Sequence, residues 1–147
     1  MIAAARWLGL PAGAMLVLCA CSTDPSPEMA GAEELSGRLT GTVTYRERIR
    51  LRPDAVVSVR LEDISLADAP SKRLAEQTIE VAGRSVPIPY ELVYDAASID
   101  SRMSYAVRAE IRDGAGKLLW TSDTVHPALT RGAPEDGIDI TVVTANR

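Results

Sequence analysis

Phenylalanine is absent from this chain of 147 residues, histidine occurs once, and both cysteines lie within the first 21 positions. Each scarcity excludes something. Beyond Cys21 there is no thiol, so neither a disulfide framework nor a cysteine nucleophile can operate there. A single imidazole does not make a histidine metal cluster. Basic residues do not dominate either: 16 Lys and Arg stand against 20 Asp and Glu, a net charge of −4. That balance argues against nucleic acid, because neutralising phosphates needs a basic surface. Long apolar runs are missing too. The uncharged stretch at residues 8–20, LGLPAGAMLVLCA, has 13 residues, short of the roughly 20 that a helix needs to cross about 30 Å of hydrocarbon. Pro11 and Gly13 weaken it further as a helix.

What this stretch does fit is a secretory signal. Its n-region carries one side-chain charge, Arg6, and small residues close the apolar segment. Leu18-Cys19-Ala20-Cys21 resembles the bacterial lipobox, an aliphatic residue, a variable one and a small one before the cysteine. Cys21 fits and Cys19 does not, because Leu18 stands where a small residue is needed. The resemblance implies a diacylglyceryl group on the Cys21 sulfur, cleavage after Ala20, and acylation of the new amine, with palmitate among the chains. An ordinary signal peptide with free or paired cysteines is the alternative, and a disulfide across positions 19 and 21 would be strained. Several acyl chains give stable anchoring where one gives only reversible binding. Ser22, rather than an aspartate, follows; in enterobacterial lipoproteins that implies sorting to the outer membrane. Cleavage removes Arg6 and no acid, leaving 15 basic against 20 acidic side chains, a net charge of −5.

Residues 22–34, STDPSPEMAGAEE, are polar and hold Pro25, Pro27 and Gly31, the composition of a flexible tether. Such a segment reaches about 20 Å on average and about 45 Å at most. The chain thus divides into a signal peptide (1–20), a lipidated cysteine with its tether (21–35), and a domain (36–147).

In that domain alternation dominates. Leu39, Gly41, Val43 and Tyr45 share one face against Thr40, Thr42 and Thr44, and Val57, Val59 and Leu61 alternate with Ser58, Arg60 and Glu62. Tyr105, Val107, Ala109 and Ile111 do so against Ala106, Arg108, Glu110 and Arg112, as do Ile138, Ile140 and Val142 against Asp139 and Thr141. Period two with β-branched and aromatic residues predicts half-buried antiparallel strands. Weaker strand segments are Leu74 to Val81, Val86 to Tyr94 and Lys117 to Ser122. Turn residues separate them at Arg52-Pro53-Asp54, Ala82-Gly83-Arg84 and Asp113-Gly114-Ala115-Gly116. About seven strands and no long helix predict an all-β fold, a small antiparallel β-sandwich. Pro87 and Pro89, two residues apart, would leave their missing N–H groups on one side of their strand, which places that strand at an edge.

Several ordered blocks carry a resemblance to a known family. Gly41-Thr-Val-Thr-Tyr-Arg-Glu-Arg-Ile-Arg-Leu-Arg-Pro53, Ala55 to Pro70, Val86-Pro-Ile-Pro-Tyr90, Tyr105 to Ile111 and Leu118-Leu-Trp120 together resemble the YbaY/YscW-type lipoprotein domain over roughly 37–144. Arg52 departs from the pattern, where a proline ahead of Pro53 is expected. The resemblance implies an envelope lipoprotein with a small β-sandwich. Some members are pilotins, chaperones that carry a type III secretion secretin to the outer membrane. It offers no catalytic residues.

Candidate sites are few. Arg46, Arg48, Arg50 and Arg52 alternate beyond the first strand; if extended they form a ladder about 20 Å long that could grip phosphates, carboxylates or a partner. The plainer reading is a solvated strand end. Glu47 falls on the side of Tyr45, Ile49 and Leu51, so it is expected to pair with an arginine, or the strand bends there. His126, on an expected loop, lacks the positioned nucleophile or orienting carboxylate of a general base. Asp95, Asp100 and Asp113 lie where carboxylates satisfy turn backbone, without the density that Ca²⁺ needs. Tyr90, Tyr94, Tyr105 and Trp120 serve as core material, or line an apolar pocket.

The sequence therefore predicts a non-catalytic, pilotin-like binding or chaperone module, anchored by lipid to the outer membrane and facing the periplasm. Its expected partner is an envelope protein such as a secretin, with no cofactor, metal or nucleic acid. A structural or glycan/lipid-binding envelope lipoprotein without a secretion role, acting through the arginines, is the alternative.

Overall fold

The computed structural model of the protein describes residues 36–145; the expected signal peptide, Cys21 and the tether to residue 35 lie outside the described residues. Eight strands follow one another: β1 (Ser36–Tyr45), β2 (Val56–Asp63), β3 (Lys72–Glu80), β4 (Ile88–Asp95), β5 (Tyr105–Arg112), β6 (Leu118–Thr121), β7 (His126–Ala128) and β8 (Ile138–Thr144). A single 3-10 turn, Ala96–Ser98, separates β4 from β5 and is capped by the Asp95 carboxylate, which accepts from the Ala97 N–H at 2.9 Å. All seven expected strands form, and the short β7 is the addition.

The strands run β3-β2-β5-β6-β8-β1-β4, with β7 also paired to β5. The sheet is continuous but behaves as two packed halves, β3-β2-β5-β6 and β8-β1-β4. They are joined through two register pairs, Trp120 with Thr144 and Thr121 with Val143. At the other side the end strands β3 and β4 meet at a seam, where the Glu91 N–H donates to the Gln77 side-chain oxygen at 2.7 Å. The two faces of the expected sandwich are thus rolled into a nearly closed barrel. One pairing differs from the antiparallel expectation: β1 and β8 are parallel, with Gly41 opposite Ile138 and Tyr45 opposite Val142. Period two fixes which side chains face inward and is indifferent to a neighbour's direction, so this pair leaves no trace in the sequence.

Inward faces match the alternation. Leu39, Val43, Val57, Val59, Leu61, Val107, Ala109, Ile111 and Ile140 are fully buried. Each large aliphatic among them contributes about 2 kcal/mol by leaving water. Without phenylalanine, rings come from elsewhere: Tyr45 stacks on Trp120 with centroids 5.3 Å apart and planes 20° apart, and Tyr90 and Tyr105 are buried. Tyr94 packs half-buried against the same core. Core packing is therefore what the aromatics do.

β1 carries two glycines, each opposite a tyrosine of β4: Gly37 pairs Tyr94 and Gly41 pairs Tyr90. A Cβ on Gly37 would lie 2.2 Å from the Tyr94 ring. At Gly41 the missing side chain lets the Tyr90 hydroxyl cross β1 and donate to the Ile138 carbonyl at 2.9 Å. Burial, with Asp139 and Asp136 nearby, pushes the Tyr90 hydroxyl far above its ordinary range, so it stays a donor.

The outer face of β2 and β5 is ionic. Arg60 and Arg108 stand directly opposite each other, a repulsive pair. Buried Glu62 lies 3.7 Å from Arg60 and 3.6 Å from Arg108, and also accepts from the Ser71 hydroxyl at 2.8 Å. Glu110 binds Arg60 and, at 2.8 Å, Arg112. Burial opposes its ionisation, but the hydrogen bond from Arg112 and the charge of Arg60 hold its carboxyl below the usual range.

Candidate functional site

β6 and β7 both lie against β5, and their registers do not join smoothly. Thr121 pairs Glu110 and His126 pairs Val107, so the four residues 122–125 stand opposite the two residues 108–109. Ser122 stays on β5: its N–H donates to the Ala109 carbonyl at 2.9 Å, and its hydroxyl accepts from the Ala109 N–H at 3.3 Å. The excess therefore falls on Asp123, Thr124 and Val125, a bulge of the kind that bends a strand and ends its pairing. Pairing between β6 and β8 stops at Val143. Past that point the wall between β7 and β8 is open.

A cavity of about 530 Å³ fills the opening, lined by Arg46, Glu47, Asp123, Thr124, His126, Thr141, Val142 and Val143. β1 supplies its first side. The strand ends at Tyr45 and the chain bends at Arg46 and Glu47, which turns the Glu47 carboxylate inward. One of its oxygens accepts from the Thr144 hydroxyl at 3.0 Å. The other, Oε2, is buried without a hydrogen-bond partner. Across the cavity His126 Nε2 is likewise buried and unpartnered. Burial holds the His126 imidazole below its ordinary range, with Asp123 pulling the other way, so the ring is neutral. Trp120, opposite Thr144 in register, also has a buried indole Nε1 without a partner, although it does not line the cavity.

A second cavity, about 590 Å³, runs along the β3–β4 seam past Thr40, Thr42, Gln77, Tyr90, Glu91 and Asp139. Its polar groups are already bonded: the Thr42 hydroxyl to Asp139 at 2.7 Å, the Thr40 N–H to Asp136 at 3.0 Å, and Gln77 to Glu91. Buried polar groups without a protein partner cost about 1–3 kcal/mol each unless something else bonds them, so they are where a bound group gains most. The bulge cavity is the better candidate site.

The sequence-expected residues fall partly here. Arg46, Arg48, Arg50 and Arg52 are all exposed, but they follow β1 rather than extend it, so no strand ladder forms. Arg46 lines the cavity, and Arg52 bonds Asp54 at 3.0 Å, which holds that carboxyl below its usual range. Glu47 has the bend anticipated for it, with Thr144 rather than an arginine as its partner. His126 sits in a strand instead of a loop, because β5 offers its backbone to β7. Asp95, Asp100 and Asp113 cap turns: Asp100 accepts from the Arg102 N–H at 2.9 Å, and Asp113 from the N–H groups of Ala115 and Lys117 at 3.0 and 2.9 Å. Hydrogen bonds from Arg102 hold Asp100 at about 2. Among the described residues no three His, Cys, Asp or Glu converge as metal ligands, and no helix is long and apolar enough to cross a membrane. Cys21 lies outside the described residues.

The rolled, eight-stranded sheet defines a small all-β, barrel-like domain. The family of type III secretion system lipoprotein chaperones (YscW) matches residues 34–140, and the chain belongs to that family. It is 36% identical over 107 residues to the uncharacterized lipoprotein YbaY of Escherichia coli (strain K12), covering 71% of this chain. The chain spans about half, 54%, of that relative's length. Among solved structures it is similar to an alternative pilotin from the type II secretion system of Vibrio cholerae, with a TM-score of 0.68 and 38% identity over 75% of this chain and 99% of that one.

Sequence reasoning missed that Glu47, Asp123 and His126 line one cavity. The one signal was Glu47, an acid on an inward parity. The bulge that brings His126 to face it depends on the registers of two strands on β5, which no local pattern encodes.

Proposed function

We propose that this chain is a pilotin-like lipoprotein: a non-catalytic module, anchored by acyl chains on Cys21 to the outer membrane on its periplasmic side, that binds and escorts an envelope protein partner such as a secretin. The observation that carries this reading is the likeness to a pilotin over 99% of that protein's chain at 38% identity. The lipobox-like Leu18-Cys19-Ala20-Cys21 supports the anchor, and a family of chaperones supports a role without chemistry. The mechanism is confinement. A partner held on a tethered domain experiences a high effective concentration at the bilayer, without new contacts.

The test is to express a secretin of the same cell with and without this chain and separate inner from outer membranes by density. Secretin multimers should reach the outer membrane in the presence of the chain and accumulate elsewhere without it. Secretin placement indifferent to the chain removes the proposal. Four exposed arginines within seven residues, Arg46 to Arg52, favour the alternative of an anionic glycan or lipid ligand. Replacing all four by Gln should then abolish that binding and leave secretin placement intact.

A further inference from the structure

We infer that the cavity at the β6–β7 bulge receives a lysine side chain of the partner, with Glu47 and His126 as the groups that hold its ammonium. This deepens the proposed function and rests on it only for the source of the lysine.

The charge requirement comes from Glu47. Its Oε2 is buried and unpartnered, and no salt bridge to Glu47 exists among the described residues, although arginines precede and follow it in sequence. A buried carboxylate oxygen is stabilised by a charged donor more than by a neutral one. The second requirement comes from His126, whose neutral ring has Nε2 buried and unpartnered in the same cavity. A neutral imidazole offers one nitrogen as an acceptor. Together with the hydroxyls of Thr124 and Thr141 on the lining, these give three kinds of acceptor. An ammonium carries three donors on a rotatable stem. Guanidinium fits less well, because its planar fork takes both oxygens of a carboxylate, and Oε1 of Glu47 is already bonded to Thr144.

Two further features favour a protein over a lipid headgroup. Exposed apolar residues adjoin the lining residues in sequence: Ile49, two residues from Glu47, is 59% exposed, and Val125, beside His126, is 53% exposed. A polar pocket with apolar residues adjoining its lining suits a side chain on a folded or folding segment. The cavity also lies at the end of β1 remote from Ser36, where the tether enters; ten strand residues put about 30 Å between them.

The test uses the full-length lipidated protein in detergent, titrated with N-acetyl-lysine methylamide while the ring signals of His126 and the indole N–H of Trp120 are followed by NMR. Saturable shifts are expected, absent with the norleucine counterpart, which keeps the stem and lacks the ammonium. Glu47→Gln, which preserves shape and an oxygen for Thr144, should weaken binding about tenfold or more while unfolding remains cooperative. Equal shifts from norleucine, or affinity unchanged in Glu47→Gln, overturn the inference. Tighter binding of the arginine counterpart or of phosphoethanolamine does so too, by assigning the cavity to another ligand. Failure in this titration leaves secretin sorting untouched, and failure of secretin sorting leaves the titration untouched, so the two readings fall separately.

Discussion

A methyl group on Gly41 would sit 1.9 Å from the Ile138 carbonyl oxygen and 2.6 Å from the Tyr90 hydroxyl. The oxygen belongs to the backbone of a paired strand and cannot step aside. Gly41→Ala is therefore expected to cost about 2–3 kcal/mol in urea unfolding. Gly83→Ala, with open space around its Cβ position and a φ of +76°, should cost about 1 kcal/mol for backbone conformation alone. His126 makes a second prediction at this scale. Its folded-state pKa is lowered by burial, whereas the unfolded chain takes up that proton near pH 6.5. Between the two values the unfolded state binds more protons, so stability rises with pH there. The protein should lose stability as pH falls below about 6.5, and His126→Gln should remove that component in denaturation curves taken on either side. A slope unchanged by the substitution contradicts the burial of the ring.

Proline decides how β4 ends the sheet. The Glu91 N–H points away from β1 to Gln77 across the seam, so Pro89, two residues earlier, presents its missing donor to that same side. Pro89→Val restores that donor and should raise the tendency of β4 to pair with a second molecule, measured as concentration-dependent mass in sedimentation. The edge position was readable beforehand, but only Pro89 carries it: Pro87 precedes β4, which begins at Ile88, and lies in no strand. Of the seven main strands, β1, β2, β5 and β8 were legible from clean alternation, and β3, β4 and the four-residue β6 only from weaker apolar segments between turns. β7 was not: His126–Ala128 is three residues long with a central proline, and it is a strand only because β5 continues past β6. Gln77 and Glu91 likewise meet only because distant strands close the roll.

At the scale of the whole molecule the core closes within residues 36–145, with Leu39 of the first strand and Ile140 of the last both fully buried. Folding and anchoring are then separable. Cys21→Ser should shift the protein from membrane to soluble fractions with an unaltered unfolding midpoint, and retention in membranes would disprove lipid attachment at that residue. The cavity was illegible at this level because it belongs to no single element: β1 brings Glu47, the bulge brings Asp123 and His126, and β8 supplies Thr141. The same construction has a kinetic consequence. The two halves of the wall are held along one side by two register pairs, Trp120–Thr144 and Thr121–Val143, and along the other by a side-chain bridge from Gln77. Breathing of the native state should start along these lines, and the amides of Val143 and Glu91 should trade protons with solvent well before that of Val59 in the middle of β2.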